Sequence, residues 1–383
     1  MMDFKLSPES KMMVKAAKDF CEKEILPVMD GIIEKDDYPD DLLMKFAKAR
    51  MLGLNIPKEY GGVGTTNLNT ILITEELGKT GSVCAYPMLM NNSTAETIDH
   101  WGSEDVKKKF LPPLCDGSAY ASTAFTEPGT GSDPRALTTM AVPDGDDFIV
   151  NGTKRYITGG NKKGYGVFYL KDEALKGEKG DVTAFLVDKS SEGYTTSAPW
   201  NLMGLEGMNC VDVFLNDVRV PGSSILGERG NGFKILLRWI AGERIQQAAY
   251  MVGLGQAALD ESVKYLGERV VGGKPMGFMQ GFQWMLAEMK GRVEACRYLT
   301  YRAACLQDDG NPFDVDSSEL KVFVAPNIQD VTRMALQIHG SYGYSKEYKV
   351  ERLFRYAAHA GVVASSSEIN KTIAGSALLK GRR

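Results

Sequence analysis

Residues 123–133 read TAFTEPGTGSD, and residues 151–160 read NGTKRYITGG. Thr126 and Ser132 offer hydroxyl groups, and the glycines of the first stretch let backbone N–H groups approach an acceptor closely. Such a loop suits a phosphate-bearing ligand or the polar edge of a flavin ring. A turn-rich connection without any ligand accounts for the same residues equally well. The organisation of the surrounding sequence therefore has to decide between the two.

Both stretches lie in a strand-rich middle zone, about residues 119–228. Phe148-Ile149-Val150 precedes Asn151-Gly152, a dipeptide typical of a two-residue hairpin turn. Further strands are predicted for three short β-rich runs, residues 167–170, 183–187 and 211–215. The middle zone is therefore predicted to form an antiparallel sheet.

The zones on either side, about 1–118 and 229–383, have helical periodicity. Residues 7–9 read SPE, which supplies a capping hydroxyl, a proline at the first helical position and then an acid. Asn231 is a candidate cap for a long helix, and Pro326 is predicted to kink or split a later one. The order helices, strands, helices indicates an α+β fold. It lacks the βαβ alternation of a Rossmann fold, so a nucleotide would be held another way.

Composition excludes several function classes. The chain has 383 residues, a net charge of −4 and a pI of about 5.7, with no basic block of the kind that nucleic-acid binding needs. The N-terminus has no apolar run behind a basic start, and no stretch approaches the roughly 18 apolar residues of a membrane helix. Six scattered cysteines without a C-x-x-C pair, and three histidines without ligand spacing, predict neither disulfides nor a metal site. We therefore expect a cytoplasmic protein without membrane insertion.

The two opening stretches resemble the T-E-P-G-x-G-S-D and N-G-x-K-x-x-I-T signatures of the acyl-CoA dehydrogenase family. The similarity continues in the same order through EYGGVG (59–64), DVRVP (217–221), LGERGNGF (226–233), LAEMKGRVEACR (286–297), SYGYSKEYKVERLFR (341–355) and SSSEIN (365–370). It covers nearly the whole chain. The helix–strand–helix order is also the architecture of this family.

The resemblance implies an FAD-dependent enzyme that acts on the Cα–Cβ bond of a coenzyme A thioester. A base removes the α-proton, and the β-hydrogen leaves as hydride to flavin N5. The implied domains are an N-terminal helical domain at 1–118, a middle β domain with the FAD and CoA loops at 119–228, and a C-terminal four-helix bundle at 229–383. Electron-transfer flavoprotein is the implied electron partner, and a homotetramer built as a dimer of dimers is the implied assembly.

The resemblance also assigns cofactor contacts to individual positions. The residues expected at FAD are Phe125, Thr126, Gly131, Ser132, Tyr156, Ile157, Thr158, Arg269, Gln280, Gln337, Gly340, Ser365, Ser366 and Ser367. Ser132 is also expected to contact CoA, and Arg269 and Gln280 to reach the FAD of a neighbouring subunit. Three positions depart from the family pattern: Gly272 replaces a phenylalanine, and Ser341 and Ser365 replace glycines.

The catalytic base is the largest departure. Aligning SEI at 367–369 with the motif E-G-T-S-E-I-Q places Ala364 where most of the family has its catalytic glutamate. Isovaleryl- and long-chain acyl-CoA dehydrogenases carry a Glu-Arg pair on the long central helix instead, and Glu243-Arg244 matches that pair. Glu243 is therefore the predicted base, because the weakly acidic α-proton needs a carboxylate with a raised pKa in a dry pocket. The alternative is a solvated acid paired along its helix.

The relocated base and the small Ala364 favour a branched or alicyclic acyl group, such as a cyclohexane- or cyclohexene-carboxyl thioester. Residues 80–95 contain no arginine for a distal carboxylate, so a dicarboxylyl substrate is disfavoured. Arg244, Asn91 and Asn92 are the further candidate substrate-binding residues. Asn91 and Asn92 lie in the region that lines the acyl pocket in the family.

Three rival functions remain open at this point. An enoyl-CoA reductase would run the same site in reverse, with electrons from an electron-transfer flavoprotein. A catalytically silent flavin- and CoA-binding subunit is the rival from another class, because Ala364 removes the usual base. A flavin oxidase or monooxygenase would need access of oxygen to the flavin.

Overall fold

The computed structural model describes residues 5–133, 136–178 and 180–381. Six helices precede the sheet: α1 Pro8–Phe20, α2 Met29–Lys35, α3 Leu42–Lys48, α4 Asn67–Lys79, α5 Ala85–Trp101 and α6 Glu104–Cys115. The predicted start of α1 is confirmed, because the Ser7 hydroxyl caps the helix by accepting from the backbone N–H of Ser10 at 3.0 Å. A π turn at Cys21–Ile25 and a 3₁₀ turn at Leu26–Val28 separate α1 from α2.

The middle of the chain forms an eight-stranded sheet. Its strands are β1 Tyr120–Ala124, β2 Met140–Asp144, β3 Asp147–Thr158, β4 Gly164–Asp172, β5 Val182–Asp188, β6 Tyr194–Thr196, β7 Cys210–Pro221 and β8 Ile225–Leu226. The order is β6-β7-β3-β2-β4-β5-β8, with β1 paired to β4. Most pairs are antiparallel, but β1 and β2 both run parallel to β4.

The predicted hairpin turn at Asn151-Gly152 is wrong. Both residues lie inside β3, where the register with β7 shifts between Val150 and Gly152. Gly152 has φ +149°, and a Cβ there would lie 2.5 Å from a Thr139 side-chain atom. The glycine therefore marks a strand irregularity and a close approach. The turn lies earlier, between Asp144 and Asp147, where Gly145 and Asp146 are the two connecting residues.

The C-terminal part is helical apart from a two-stranded ribbon. Its elements are α7 Gly232–Glu268, β9 Val270–Val271, β10 Lys274–Pro275, α8 Gln280–Asp308, α9 Asp314–His339, α10 Lys349–Ala358 and α11 Ser367–Leu379. Asn231 precedes α7 but makes no side-chain cap bond. The predicted split at Pro326 is wrong, because α9 continues through it. Among the described residues, no helix is long and apolar enough to cross a membrane.

Helix α7 is the central support of the molecule and is largely buried. It packs so closely on α4 that a Cβ at Gly78 would lie 2.4 Å from the carbonyl oxygen of Tyr250, and one at Gly253 2.3 Å from that of Glu75. Any larger residue at either position would force the two backbones apart. This contact fixes the axis of the helix that carries Glu243 and Arg244.

Polar contacts join the helical part to the sheet. The Tyr356 hydroxyl donates to the Glu206 carboxylate at 2.5 Å, and the same carboxylate pairs with Arg355 at 2.5 Å. Glu351 completes the set by bonding Arg355 at 2.7 Å. The Tyr356 hydroxyl thus ties α10 to the loop that precedes β7.

Candidate active site

Glu243 is a buried carboxylate on α7, with a relative exposure of 3%. Its Oε1 accepts a hydrogen bond from Gln247 Nε2 at 2.8 Å. Its Oε2 is buried and has no hydrogen-bond partner among the residues that the structure describes. Burial raises the pKa of Glu243 to about 7, although Gln247 and the charge of Lys321 oppose the shift. The group can therefore take or give a proton near neutral pH.

Two further polar atoms lie unpaired beside Glu243. Trp239 Nε1 and Gln246 Oε1 are buried and find no partner within the described part of the chain. Together with Glu243, they line a narrow cavity whose wall also includes Glu96 and Arg238. Buried polar atoms are nearly always satisfied, so these three atoms around one cavity indicate that water or a ligand fills it.

Arg244 is buried and points away from the carboxylate beside it. Its guanidinium donates to the backbone oxygen of Ala364 at 3.3 Å, to Ser318 Oγ at 2.9 Å and to Ser365 Oγ at 3.4 Å. Lys321 donates to the backbone oxygen of Val363. Both cations thus hold the segment where the family usually has its base. Arg244 has a structural task here, and its predicted contact with substrate stays a prediction.

Ala364 and Ser365 both adopt left-handed backbone conformations, with φ of +50° and +75°. Glycine is the residue that takes such angles without strain, so the left-handed backbone at Ser365 is sterically strained where a glycine would not be. The side chain at 364 is a methyl group, so no carboxylate can act from this position. Glu368 does not replace it, because it is exposed and lies 3.9 Å from Lys371.

The segment 365–367 forms the N-terminus of α11. Ser366 is the N-cap, and its Oγ accepts from the backbone N–H of Ile369 at 3.4 Å. Ser365 and Ser367 are half-buried beside it. Free backbone N–H groups and hydroxyls at a helix N-terminus suit a phosphate group, as the resemblance implies for these three residues.

The two sequence motifs of the middle domain meet in space. The backbone N–H of Arg155 donates to the carbonyl oxygen of Thr126 at 2.8 Å, which joins the loop after β1 to β3. Phe125 and Thr126 are half-buried, whereas Gly131 and Ser132 are exposed at the tip of the loop. Phe125 also packs edge-on against Trp239, with 6.2 Å between ring centroids. The loop and the cavity beside Glu243 are therefore neighbours.

A buried ion pair supports this loop, and sequence reasoning missed it. Lys154 Nζ bonds Glu127 Oε1 at 2.8 Å and the carbonyl oxygen of Tyr169 at 2.7 Å. Burial opposes ionisation of Glu127, but Lys154 and bonds from Thr138 and Thr139 outweigh it and lower its pKa to about 2. The sequence contains a signal for this pair, because one motif carries an acid, the Glu of TEPG, and the other carries a base, the Lys of NGTK.

Tyr156 presents an exposed ring beside the loop. It is 51% exposed, adopts φ +57°, and its ring lies 5.2 Å from that of Trp200. Ile157, by contrast, is buried in the sheet core, so only its backbone can face a ligand. Thr158 is half-buried, and its carbonyl oxygen accepts from Ser122 Oγ at 2.9 Å. A flat ring could stack on Tyr156 without any change in the core.

Four predicted cofactor residues lie elsewhere on the surface. Arg269, Gln280, Gln337 and Gly340 are all exposed. The Arg269 guanidinium lies over the ring of Tyr342 at 5.6 Å. The contact of Arg269 and Gln280 with an FAD held by a neighbouring subunit stays a prediction, and so does the contact of Gln337 and Gly340 with FAD.

The contact of Asn91 and Asn92 with the acyl group stays a prediction, and the structure shows backbone partners for both amides. Asn91 Nδ2 donates to the carbonyl oxygens of Leu114 and Ala119 at 3.1 and 2.9 Å, and its Oδ1 accepts from the backbone of Ala121 at 2.8 Å. Asn92 is buried and bonds the backbone of residues 51 and 54 at 3.0 and 3.3 Å. Both side-chain amides hydrogen-bond backbone groups and so join α5 to neighbouring segments, which the sequence alone could not show.

Comparisons with known proteins cover the whole of this architecture. The chain matches three family models: acyl-CoA dehydrogenase N-terminal domain over residues 7–118, middle domain over 122–218 and C-terminal domain over 230–379. The matches follow one another in the order of the helices, the sheet and the second set of helices.

Individual relatives match over their full lengths. An acryloyl-CoA reductase (NADH) of Anaerotignum propionicum is 36% identical over 381 residues, which cover 99% of this chain and 96% of that protein. The caffeyl-CoA reductase–Etf complex subunit CarC of Acetobacterium woodii is 34% identical and covers 98% of this chain and 99% of that one. The solved structure of butyryl-CoA dehydrogenase from Megasphaera elsdenii superimposes with a TM-score of 0.96 at 34% identity, over 99% of this chain and 100% of that one.

Proposed function

Because this chain belongs to the acyl-CoA dehydrogenase family of flavin-dependent oxidoreductases, we propose that it interconverts an acyl-CoA thioester and its α,β-unsaturated form. Glu243 exchanges the α-proton in this proposal, and FAD is the cofactor. The observation that carries it is the carboxylate of Glu243, which is buried, has one oxygen without a partner among the described residues, and has a pKa raised to about 7.

The residues present fit FAD in two places. Phe125 and Thr126 are half-buried, and Thr126 accepts a hydrogen bond from the backbone of Arg155, the residue before the exposed Tyr156; these side chains suit a flat ring system. The N-terminus of α11, with Ser365 and Ser366, suits a phosphate. Bound FAD would supply the acceptor or donor for the β-hydrogen, which travels as hydride.

The chain itself supplies the proton chemistry. In the oxidative direction, Glu243 Oε2 in its ionised form takes the α-proton; in the reductive direction, the protonated form returns it. A pKa of about 7 leaves both forms populated near neutral pH, so one group serves both directions. Trp239 and Gln246 offer an N–H and a carbonyl oxygen that can orient polar groups of the thioester.

Enoyl-CoA reduction is the second candidate function. It is favoured by the names of two relatives, an acryloyl-CoA reductase and a subunit of a caffeyl-CoA reductase–Etf complex. An electron-transfer flavoprotein is the proposed electron partner in either direction. A catalytically silent subunit is disfavoured, because a buried carboxylate with one oxygen that no described residue pairs is costly to the folded state.

The acyl group and the assembly are separate proposals. The methyl group of Ala364 leaves room where the family usually has a carboxylate, which supports a branched or alicyclic acyl group. A homotetramer is supported by large apolar side chains that the single chain leaves exposed near Arg269 and Gln280. They include Phe278, Trp284 and Tyr344, with relative exposures of 73%, 65% and 90%.

The test is flavin absorbance under anaerobic conditions. The purified protein is titrated with butyryl-, isobutyryl-, cyclohexanecarboxyl- and 3-phenylpropanoyl-CoA, and the chemically reduced protein with the corresponding enoyl thioesters. Bleaching by a saturated thioester, or recovery of colour with an unsaturated one, supports the proposal and identifies the acyl class. A flavin-containing protein that responds to none of them would contradict the proposed function.

A further inference from the structure

A chain of three hydrogen bonds leads from Glu243 to a histidine on another helix. Gln247 Nε2 donates to Glu243 Oε1 at 2.8 Å. The Tyr86 hydroxyl donates to Gln247 Oε1 at 3.0 Å, and His359 Nδ1 lies 3.2 Å from the Tyr86 oxygen. The chain connects α7, the first turn of α5 and the turn that follows α10. It leaves Glu243 Oε2 free on the side of the cavity.

The direction of these bonds depends on the protonation state of Glu243. A carboxylate can only accept, so the Gln247 amide must present its NH₂ group, its carbonyl must accept from Tyr86, and His359 must donate from Nδ1. When Oε2 has taken the α-proton, the carboxyl group can turn by 180° about its Cγ–Cδ bond, which brings the O–H to the side of Gln247, where it can donate. The amide can then turn by 180°, donate to Tyr86, and let Tyr86 donate to an unprotonated Nδ1. The heavy atoms occupy nearly the same places in both arrangements, because the two halves of an amide have nearly the same shape.

We propose that Tyr86 and His359 are positioning residues, which hold Gln247 so that Glu243 is hydrogen-bonded both before and after it takes a proton. The proposal rests on the proposed role of Glu243. It explains why a glutamine with a fixed partner on each side stands one turn after the base. Without the hydrogen bond from Tyr86, the Gln247 amide could present its oxygen to the Glu243 carboxylate, and two acceptors would face each other.

His359 changes tautomer in this scheme and not charge. Burial lowers its pKa to about 4, and the charge of Lys321 on α9 adds to the effect. The other groups around the chain are Arg244 on α7, which faces Lys321, and Tyr356 on α10, which lies near Tyr86. None of them presents a carboxylate to His359 that would favour its charged form. The imidazole proton therefore moves between Nδ1 and Nε2 by exchange with solvent, with no net gain or loss.

The direct test is ¹⁵N solid-state NMR of the full-length, flavin-loaded protein labelled in histidine, from pH 5.5 to 8.5. The chain contains only three histidines, and His359→Gln assigns the signal. The expected result is a neutral ring throughout, protonated at Nδ1 at high pH and at Nε2 at low pH, with a midpoint at the pKa of Glu243. A tautomer that does not change, or an imidazolium in this range, would overturn the proposal.

Variants separate this proposal from the proposed function. Tyr86→Phe should abolish the tautomer change, and it should move the acidic limb of the pH–rate profile upward by roughly half a unit, because a polarised chain strengthens a charge-assisted bond by ~10–30%. Tyr250→Phe is the matched control, since its hydroxyl is also buried but donates to the carbonyl oxygen of Ser82 at 2.9 Å. If Glu243→Gln keeps full activity, the proposed function fails. If Glu243→Gln is inactive while Tyr86→Phe and Tyr250→Phe behave alike, only the positioning role fails.

Discussion

Replacing Glu243 by glutamine should make the protein more stable, and increasingly so as the pH rises. Burial raises the pKa of this carboxyl from 4.5 to about 7. The folded state therefore binds the proton more tightly than the unfolded state does, and stability falls as the pH rises between these two values. The full cost, on the order of 3 kcal/mol, is present above pH 8. Glutamine carries no charge and should avoid this cost while still bonding Gln247.

The same linkage gives the size of the effect at each pH. The advantage of Glu243→Gln should be about 1 kcal/mol at pH 5.5 and about 3 kcal/mol at pH 8.5, a difference of about 2 kcal/mol. At ~2.1 cal/mol/K per residue of unfolding entropy, that difference is roughly 2–3 °C in Tm for a chain of this length. The assay is thermal unfolding of parent and variant at matched flavin loading across this pH range. A Tm difference that is constant with pH, or that favours the parent at pH 8.5, would refute the raised pKa.

Three further predictions concern the base and the loop beside it. With a saturated thioester, the rate of flavin reduction should fall to roughly a tenth of its plateau one pH unit below the pKa of Glu243. The rate of enoyl reduction should instead fall at pH values above that pKa. Stopped-flow absorbance in both directions checks both limbs. Lys154→Met should leave Glu127 buried without its partner, lower the free energy of unfolding by ~3–5 kcal/mol and cause loss of bound flavin. Lys171→Met breaks a more exposed pair on β4 and should lower the free energy of unfolding by under ~1 kcal/mol. Measurements of Tm and of flavin absorbance per chain distinguish the two variants. Introducing Ala364→Glu into the Glu243→Gln variant should restore part of the flavin reduction, and a double variant as inactive as the single one would show that position 364 does not face the substrate.

The order of the fold was predictable because it rests on local patterns. The SPE start of α1 and the change from helical to strand periodicity each depend on neighbouring residues. Local signals failed where distant contacts decide. Asn151-Gly152 has the sequence of a hairpin turn, yet it lies in the middle of β3 because β7 and Thr139 pack beside it. Pro326 lies within α9, which continues through it in the packed bundle.

In the candidate site, too, local sequence patterns could be read from the sequence and contacts between distant residues could not. Glu243 could be predicted, because Ala364 removes the usual base and a Glu-Arg pair stands at the alternative position. The burial of Glu243 and the lack of a partner for its Oε2 among the described residues could not be predicted, because they depend on α5 and α9 as well as α7. Asn91 was assigned to the acyl pocket from its place in the sequence, although its amide is used by three backbone groups. The partnership of Gln247 with Tyr86 spans 161 positions, so no local pattern could predict it.

The most direct test of the central claim is the rate of anaerobic flavin reduction in Glu243→Gln, measured with the thioester that bleaches the parent most rapidly. Ser262→Ala serves as a control for damage to the same helix, since its hydroxyl is also buried but donates to the backbone oxygen of Ala258. We expect Glu243→Gln to bind flavin and thioester as the parent does but to reduce the flavin at least ~100-fold more slowly, the usual contribution of a general base. Reduction within a few-fold of the parent rate would contradict the assignment of Glu243 as the base.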